Sequence, residues 1–134
     1  LVSWPSLQRR QEEYQDLVAK RIPANVKDIA LARKMGVDPR EVLKLFGNSP
    51  VLGTGVMRLR MGMMVERKYS PPTMKVEVWQ KDMEVIGQMA KSVNCPTPLF
   101  QTAASIYTAA MAQGLSQEDT ASTAEVFAKM AGIP

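Results

Sequence analysis

The residue types that carry most enzymatic chemistry are scarce in this chain. Its 134 residues contain no histidine and a single cysteine, Cys95. Serine and cysteine nucleophiles usually depend on a neighbouring histidine base, so both kinds of catalytic triad are excluded. One thiol without any histidine cannot build a zinc site either, and we expect no metal. Cys95 lies in a loop beside Pro96 without a cluster of charges, and we interpret it as structural.

Two adjacent charged residues, Lys81 and Asp82, are the most informative pair. They lie in the stretch 73–93, whose apolar side chains fill an arc of roughly 200° on a helical wheel. An arc so wide predicts a helix that packs on two sides. Asp82 falls near the middle of this arc, which predicts a buried carboxylate that caps a neighbouring helix or pairs with a basic side chain. Lys81 lies at the rim, where its ammonium group either reaches water or points at a phosphate or carboxylate across a cleft.

The elements that must position this pair are predicted to be helices throughout. No stretch shows sustained alternation of apolar and polar residues, so no strand is expected. Gly36 and Gly114 are predicted as left-handed helix ends, and Asp38 followed by Pro39 as a helix start. Ser116 is predicted to cap the last helix, with Asp119 completing a pattern similar to a capping box. The expected helices cover residues 6–21, 24–35, 39–47, 51–66, 73–93, 97–113 and 116–132.

These elements predict an all-α bundle of six or seven helices, of a size typical of one domain. Methionines at helical spacing are interpreted as core-filling side chains, and the alanines after Thr97 as a face that another helix approaches closely. The formal charge of +4 comes from scattered basic residues rather than a dense stripe, so nucleic acid is not an expected partner. No apolar run reaches the ~18–20 residues of a membrane span, and no secretory signal is visible, so a cytoplasmic protein without membrane contact is expected.

Several segments, taken in order, resemble the β-hydroxyacid dehydrogenases, a family within the 6-phosphogluconate dehydrogenase superfamily that contains 3-hydroxyisobutyrate dehydrogenase and tartronate semialdehyde reductase. Residues 76–83 read VEVWQKDM and are similar to the family's Lys-Asp helix. Residues 30–38 resemble its Gly-Val-Asp turn, and residues 69–71 its aromatic-Ser-Pro lead-in. Residues 96–99 resemble its Pro-x-Pro-Leu helix start, and residues 109–120 its Ala-x-x-x-Gly followed by Asp. The resemblance covers about residues 23–133.

The resemblance implies the C-terminal helical domain of a two-domain oxidoreductase. Such enzymes bind NAD or NADP on an N-terminal Rossmann domain, and no strand followed by Gly-x-Gly-x-x-Gly occurs in this chain. The implied division is a divergent N-terminal helix over residues 1–22 and the helical domain over 23–134. The family's catalytic lysine and asparagine would fall near Gln11 and Tyr14, so the catalytic residues remain unassigned. The family pattern implies that Lys81 faces the cofactor, with Met74 where the family often has phenylalanine near the nicotinamide.

The implied function is therefore the substrate-cleft and dimerisation domain of an NAD(P)-dependent oxidoreductase that acts on a short β-hydroxyacid. The implied partners are the missing Rossmann domain, a second copy of the chain and the hydroxyacid. This isolated chain is expected to be inactive and not to bind the cofactor tightly. The alternative is a non-catalytic helical module, derived from the same fold, that dimerises or binds a partner. A glycine-rich βαβ unit in the upstream reading frame favours the enzyme, and its absence favours the module.

Overall fold

The structure, a computed structural model, describes residues 26–51 and 53–134. The helix predicted over residues 6–21 lies outside these ranges. Within them the all-α prediction is confirmed, since the only β feature is one isolated bridge between Lys75 and Asp119. The helical residues 26–34 are called α1. The other elements are α2 (Pro39–Gly47), α3 (Gly55–Glu66), α4 (Val76–Ser92), α5 (Pro98–Ala112), a 3-10 helix (Thr120–Ser122) and α6 (Thr123–Met130).

Local signals set most helix ends as the sequence predicts. Asp38 accepts a hydrogen bond from the Arg40 amide at 2.9 Å, and Pro39 occupies the first position of α2. This arrangement satisfies one of the amides that every helix start leaves without a partner. Gly36 and Gly114 have φ values of +71° and +81°, a left-handed conformation that glycine adopts without steric cost. Both positions end a helix, as predicted.

The predicted start of α3 was too early by four residues. The Gly53 amide donates to the Ser49 carbonyl at 2.8 Å and closes a turn before the helix. Thr54 then caps α3, since its hydroxyl accepts from the Met57 amide at 3.2 Å. Glycine-rich sequence has poor helix propensity, so the turn prevails over the helix in this segment.

The predicted start of the last helix at Ser116 was also wrong. The chain turns over residues 116–119, and Asp119 caps the short 3-10 helix by accepting from the Ala121 amide at 2.9 Å. α6 begins only at Thr123. Asp119 therefore acts as a cap itself, rather than as the acid that completes a cap at Ser116.

Two hydrophobic clusters hold the described helices together. Both combine alanine, methionine and branched aliphatic side chains with one or two aromatic rings. The interpretation of the methionines as core-filling is wrong for Met35, Met89 and Met130, which are exposed, whereas Met61, Met64 and Met83 are confirmed as core side chains. Burying a side chain of this size contributes about 1.5–3 kcal/mol each. The buried members of the first cluster are Val26, Ile29, Met61, Met64, Tyr69, Ala121 and Ala124. Those of the second are Val76, Met83, Phe100, Ala103, Tyr107, Ala110 and Val126.

The second cluster joins α4 to α5. Buried Ala103 and Ala110 present small side chains on α5, as the alanine-rich pattern predicted, so α4 packs closely against this face. Trp79 of α4 meets Tyr107 of α5 edge to face, with ring centroids 6.3 Å apart, a favoured aromatic geometry. Among the described residues, no helix has the length and apolar character that crossing a bilayer requires.

Candidate functional site

α4 has two apolar faces with different surroundings. Its inner face packs on α5 and α6 through Val76, Trp79, Met83, Ile86 and Ala90. Its outer face, which we define as Val78, Val85, Met89 and Val93, is exposed, with 58% of the Val85 surface open to solvent. The wide apolar arc in the sequence therefore corresponds to one face buried within the chain and one face left open.

Lys81 lies at the edge of the outer face. It is exposed, three residues after Val78 and four before Val85, so the exposed valines flank its side chain along the helix. Its ammonium group makes no hydrogen bond or ion pair with any part of the chain that the structure describes. An exposed, unpaired cation beside an apolar surface can bind an anionic ligand without first breaking an internal ion pair.

The prediction of a buried carboxylate at Asp82 is wrong. Asp82 is only half-buried, and it makes no hydrogen bond or ion pair within residues 26–51 and 53–134. The physical reason is that the apolar arc is divided into a buried face and an exposed face. Asp82 lies on the exposed face, which includes Val78 and Val85. Among the described residues, the fully buried carboxylate is instead that of Asp119, whose surface is 0% exposed.

Asp119 is the centre of a polar cluster that holds the segment before α4. One carboxylate oxygen, Oδ2, accepts from the Thr73 amide at 2.8 Å, from the Thr73 hydroxyl at 2.7 Å and from the Met74 amide at 3.2 Å. The other oxygen, Oδ1, accepts from the Ala121 amide and lies 3.5 Å from Nε of Arg60. We call these five residues, together with Thr120, whose hydroxyl donates to Oδ1 at 3.4 Å, the Asp119 cluster. It joins α3, the start of α4 and the 3-10 helix.

The electrostatics of the Asp119 cluster favour a charged carboxylate. Burial by itself raises the pKa of Asp119, but hydrogen bonds from Ala121, Thr73 and Met74 outweigh it and hold the pKa below its ordinary value. The guanidinium group of Arg60 supplies a nearby positive charge, and its Nε is buried without a well-aligned hydrogen bond. The cluster therefore contains an ionised side chain surrounded by three backbone amides, two hydroxyl groups and one guanidinium group.

The first turn of α4 is capped by the same loop. Lys75, at the N-cap position, makes no side-chain capping bond. Instead the Val76 amide donates to the Glu118 carbonyl at 3.0 Å, and the Glu77 amide to the Ser116 carbonyl at 3.1 Å. Backbone carbonyls thus satisfy donors that would otherwise lack partners at a helix start. Sequence reasoning missed this arrangement, although the aspartate in the family pattern over residues 109–120 was a signal for it.

A cavity of about 310 Å³ opens between α4 and α5 but does not include the predicted site residues. Its walls combine the apolar Met83 and Phe100 with the polar Gln80, Glu84 and Gln101. Neither Lys81 nor Met74 contributes to it, so it is separate from the candidate cofactor surface. Within the described ranges, no group of three or more acidic, cysteine or histidine side chains could hold a metal ion.

Comparisons with known proteins agree with this architecture. A family model described as "NAD-binding of NADP-dependent 3-hydroxyisobutyrate dehydrogenase" matches residues 14–127. L-threonate dehydrogenase from Haemophilus influenzae is 31% identical over 114 residues, which are 85% of this chain and 37% of the relative. Glyoxylate/succinic semialdehyde reductase 2 from Arabidopsis thaliana is 29% identical over 97 residues, 72% of this chain and 26% of the relative.

The fold is also found in a solved structure. The crystal structure of 3-hydroxyisobutyrate dehydrogenase from Salmonella typhimurium aligns with a TM-score of 0.74 and 24% identity, covering 88% of this chain and 41% of that one. The chain thus spans well under half the length of the relatives it matches. Because the family model covers most of the sequence, the chain belongs to the NAD-binding domain family of NADP-dependent 3-hydroxyisobutyrate dehydrogenases.

Proposed function

We propose that this chain is the C-terminal helical domain that lines the substrate and cofactor cleft of an NAD(P)-dependent oxidoreductase. In this proposal residues 23–134 belong to the domain, residues 1–22 are a separate segment that departs from the family pattern, and a dinucleotide-binding domain completes the enzyme. The complete enzyme acts in the cytoplasm on a short β-hydroxyacid and forms a homodimer or a higher oligomer. The observation that carries this proposal is Lys81, an exposed ammonium group without an internal partner beside an open apolar face.

The chemistry of this surface fits a nicotinamide dinucleotide. The cofactor combines anionic phosphates with flat, partly apolar rings. Lys81 offers a cation for a phosphate or for the substrate carboxylate, while Val78 and Val85 offer apolar contact beside it. Met74, half-buried ahead of α4, supplies a polarizable side chain where the family often has phenylalanine.

Within the complete enzyme, NAD(P) supplies the hydride acceptor for oxidation of the substrate hydroxyl. The residues of this chain bind and orient the cofactor and the substrate. Lys81 holds an anionic group by charge, and the outer face of α4 excludes water where it is covered. The lysine that moves the hydroxyl proton is not assigned within this chain.

The substrate belongs to a class rather than to a single compound. The relatives' names include L-threonate, 3-hydroxyisobutyrate, glyoxylate and succinic semialdehyde. These compounds share a carboxylate near the carbon that is oxidised or reduced, and one cation such as Lys81 would recognise that shared group. A panel with hydroxyacids of different length therefore tests the proposal better than 3-hydroxyisobutyrate alone.

The test uses the full-length product of the reading frame that encodes this chain. We expect a dinucleotide-binding domain in that product and reduction of NAD or NADP with at least one hydroxyacid of the panel. Lys81→Ala should raise the KM for the cofactor or the hydroxyacid about tenfold, the loss of one charge-assisted contact of ~1.4 kcal/mol. The matched control is Lys91→Ala, which removes another exposed lysine of α4 and should leave both KM values unchanged.

Two results would contradict the proposal. The first is a full-length product that has no dinucleotide-binding domain, or one that reduces neither cofactor; this result supports the non-catalytic module. The second is an equal effect of the two lysine substitutions on KM, which would mean that Lys81 has no special place in the cleft.

A further inference from the structure

We propose that Asp119 is a positioning residue for the cofactor surface, because it fixes the start of α4 and thereby the placement of Met74 and Lys81. This inference rests on the proposed function. Asp119 itself is fully buried and does not reach the outer face, so any effect on the cofactor has to act through the backbone it holds.

The first step is the double attachment of Met74. Its amide donates to Oδ2 of Asp119 at 3.2 Å, and its carbonyl accepts from the Thr120 amide at 2.9 Å. The neighbouring Thr73 adds two shorter hydrogen bonds to the same oxygen. Met74 therefore cannot move along or around the axis of α4 without breaking bonds to residues 119–120.

The second step is the transfer of this placement to Lys81. The amides of Val76 and Glu77 are bound to the carbonyls of Glu118 and Ser116, so the first turn of α4 is fixed against the Asp119 loop. Lys81 follows about one turn later on the same continuous helix. Since its side chain contacts no other described residue through a polar bond, its position depends on the helix that carries it.

The third step is the support of Asp119 from another element. Arg60 of α3 lies 3.5 Å from Oδ1, and Ala121 donates its amide to the same oxygen. The carboxylate therefore has its two oxygens committed to different elements, Oδ2 to the start of α4 and Oδ1 to α3 and the 3-10 helix. A side chain held in this way fixes the distance between these elements to within the tolerance of hydrogen bonds.

The test uses Thr73→Val, because removal of Asp119 itself threatens the fold. Valine keeps the β-branched shape of Thr73 but removes the hydroxyl that donates to Oδ2 at 2.7 Å. Thr73 is exposed, so the change leaves no large cavity. The matched control is Thr108→Val, which removes the hydroxyl that accepts from Gln80 at 3.0 Å and so also loosens α4 at an exposed threonine. Thr73→Ser restores the hydroxyl.

In the full-length enzyme, Thr73→Val should raise the KM for NAD(P) about threefold to tenfold and change kcat less than about twofold, since a small displacement weakens binding groups before it alters the reacting atoms. Thr73→Ser and Thr108→Val should keep the wild-type KM. Hydrogen exchange on the 134-residue chain should show faster exchange at the amides of residues 73 and 74 only in Thr73→Val.

The outcomes separate this inference from the proposed function. If Lys81→Ala raises KM but Thr73→Val does not, the positioning role of Asp119 is wrong and the cofactor surface stands. If Thr73→Val and Thr108→Val raise KM equally, general loosening of α4 explains both and the inference also fails. If Lys81→Ala has no effect on KM, the proposed function fails and the inference fails with it.

Discussion

Replacing the carboxylate of Asp119 is the most demanding test of the structure. Asp119→Ala removes the acceptor for the amides of Met74 and Ala121 and for both donors of Thr73, and it leaves Arg60 without its carboxylate. The matched substitution is Asp82→Ala, because sequence reasoning places the buried carboxylate there. The structure predicts that Asp119→Ala destabilises the fold much more than Asp82→Ala does, the reverse of the order that the sequence predicts.

The size of the destabilisation by Asp119→Ala depends on which of these donors remain buried after the carboxylate is removed. Hydrogen bonds to a charged group contribute about 1.5–3 kcal/mol each. The two donors of Thr73 lie near solvent and can bond to water once the carboxylate is gone, so their loss contributes little to the free energy of unfolding, although it releases the segment before α4. The amide of Ala121, the hydroxyl of Thr120 and Nε of Arg60 remain buried, and the amide of Met74 partly so. Breaking such a buried charged cluster costs about 3–5 kcal/mol. Asp119→Asn keeps one acceptor oxygen and should cost about 1–3 kcal/mol.

Asp82→Ala should change the free energy of unfolding by ~0.5 kcal/mol or less, since it removes a half-buried side chain without hydrogen bonds. Urea unfolding followed by helical circular dichroism measures all three variants. The slope of the transition should match that of the parent chain, which confirms that the unfolded states are comparable. A domain of ordinary stability has only about 5–15 kcal/mol in total, so the asparagine variant keeps the comparison measurable if the alanine variant does not fold. A greater cost for Asp82→Ala than for Asp119→Asn would refute the structural assignment.

Four further results are expected. Because the fold lowers the pKa of Asp119 from its ordinary value of 3.8, the charged carboxylate should stabilise the fold fully above about pH 5 and lose this effect as the pH falls below about 4. The difference in unfolding free energy between the parent chain and Asp119→Asn should therefore shrink in acid titrations. A constant difference down to pH 2 would contradict this. Gly53→Ala should destabilise the fold by about 1–3 kcal/mol, since a Cβ there meets the carbonyl of Gly47. Gly62→Ala places its Cβ in open space within α3 and should stabilise the fold by about 0.5–1 kcal/mol. Thermal melts that rank the two variants the other way would count against the loop geometry. The isolated chain should not reduce NAD or NADP with any hydroxyacid, and turnover above a protein-free blank, with contaminants excluded, would overturn this. In the isolated chain, where no cofactor-binding domain covers the outer face of α4, sedimentation should show a dimer or larger assembly at tens of micromolar. Val85→Glu should shift this assembly toward monomer, and a monodisperse parent monomer would disprove the prediction.

Much of the fold could be predicted from the sequence because its signals are local. The cap at Asp38, the proline at 39 and the left-handed glycines at 36 and 114 act within a few residues of themselves. A helix start or stop depends on backbone sterics and nearby donors, which the sequence states directly. The wide apolar arc of α4 was identified as well, since periodicity on a wheel requires nothing beyond the helix, but the predicted packing on two sides is not found within the described residues, where only one face is buried. The segments that resemble the family, taken in their order along the chain, also predicted the type of all-α fold.

The tertiary structure decided which residues are buried and what they hold. The sequence showed that α4 has two apolar faces, but not that only one is covered within the described chain. Asp82 lies on the face that is left open and is therefore only half-buried. Asp119 gained its role from Thr73 and Met74, which lie 46 and 45 residues away in the chain. Its other oxygen accepts from the Ala121 amide two residues later, so Asp119 caps the 3-10 helix and Ser116 does not act as a cap. A buried carboxylate is stable only where distant donors converge on it, and that convergence arises from the packing of α3, α4 and the 3-10 helix together.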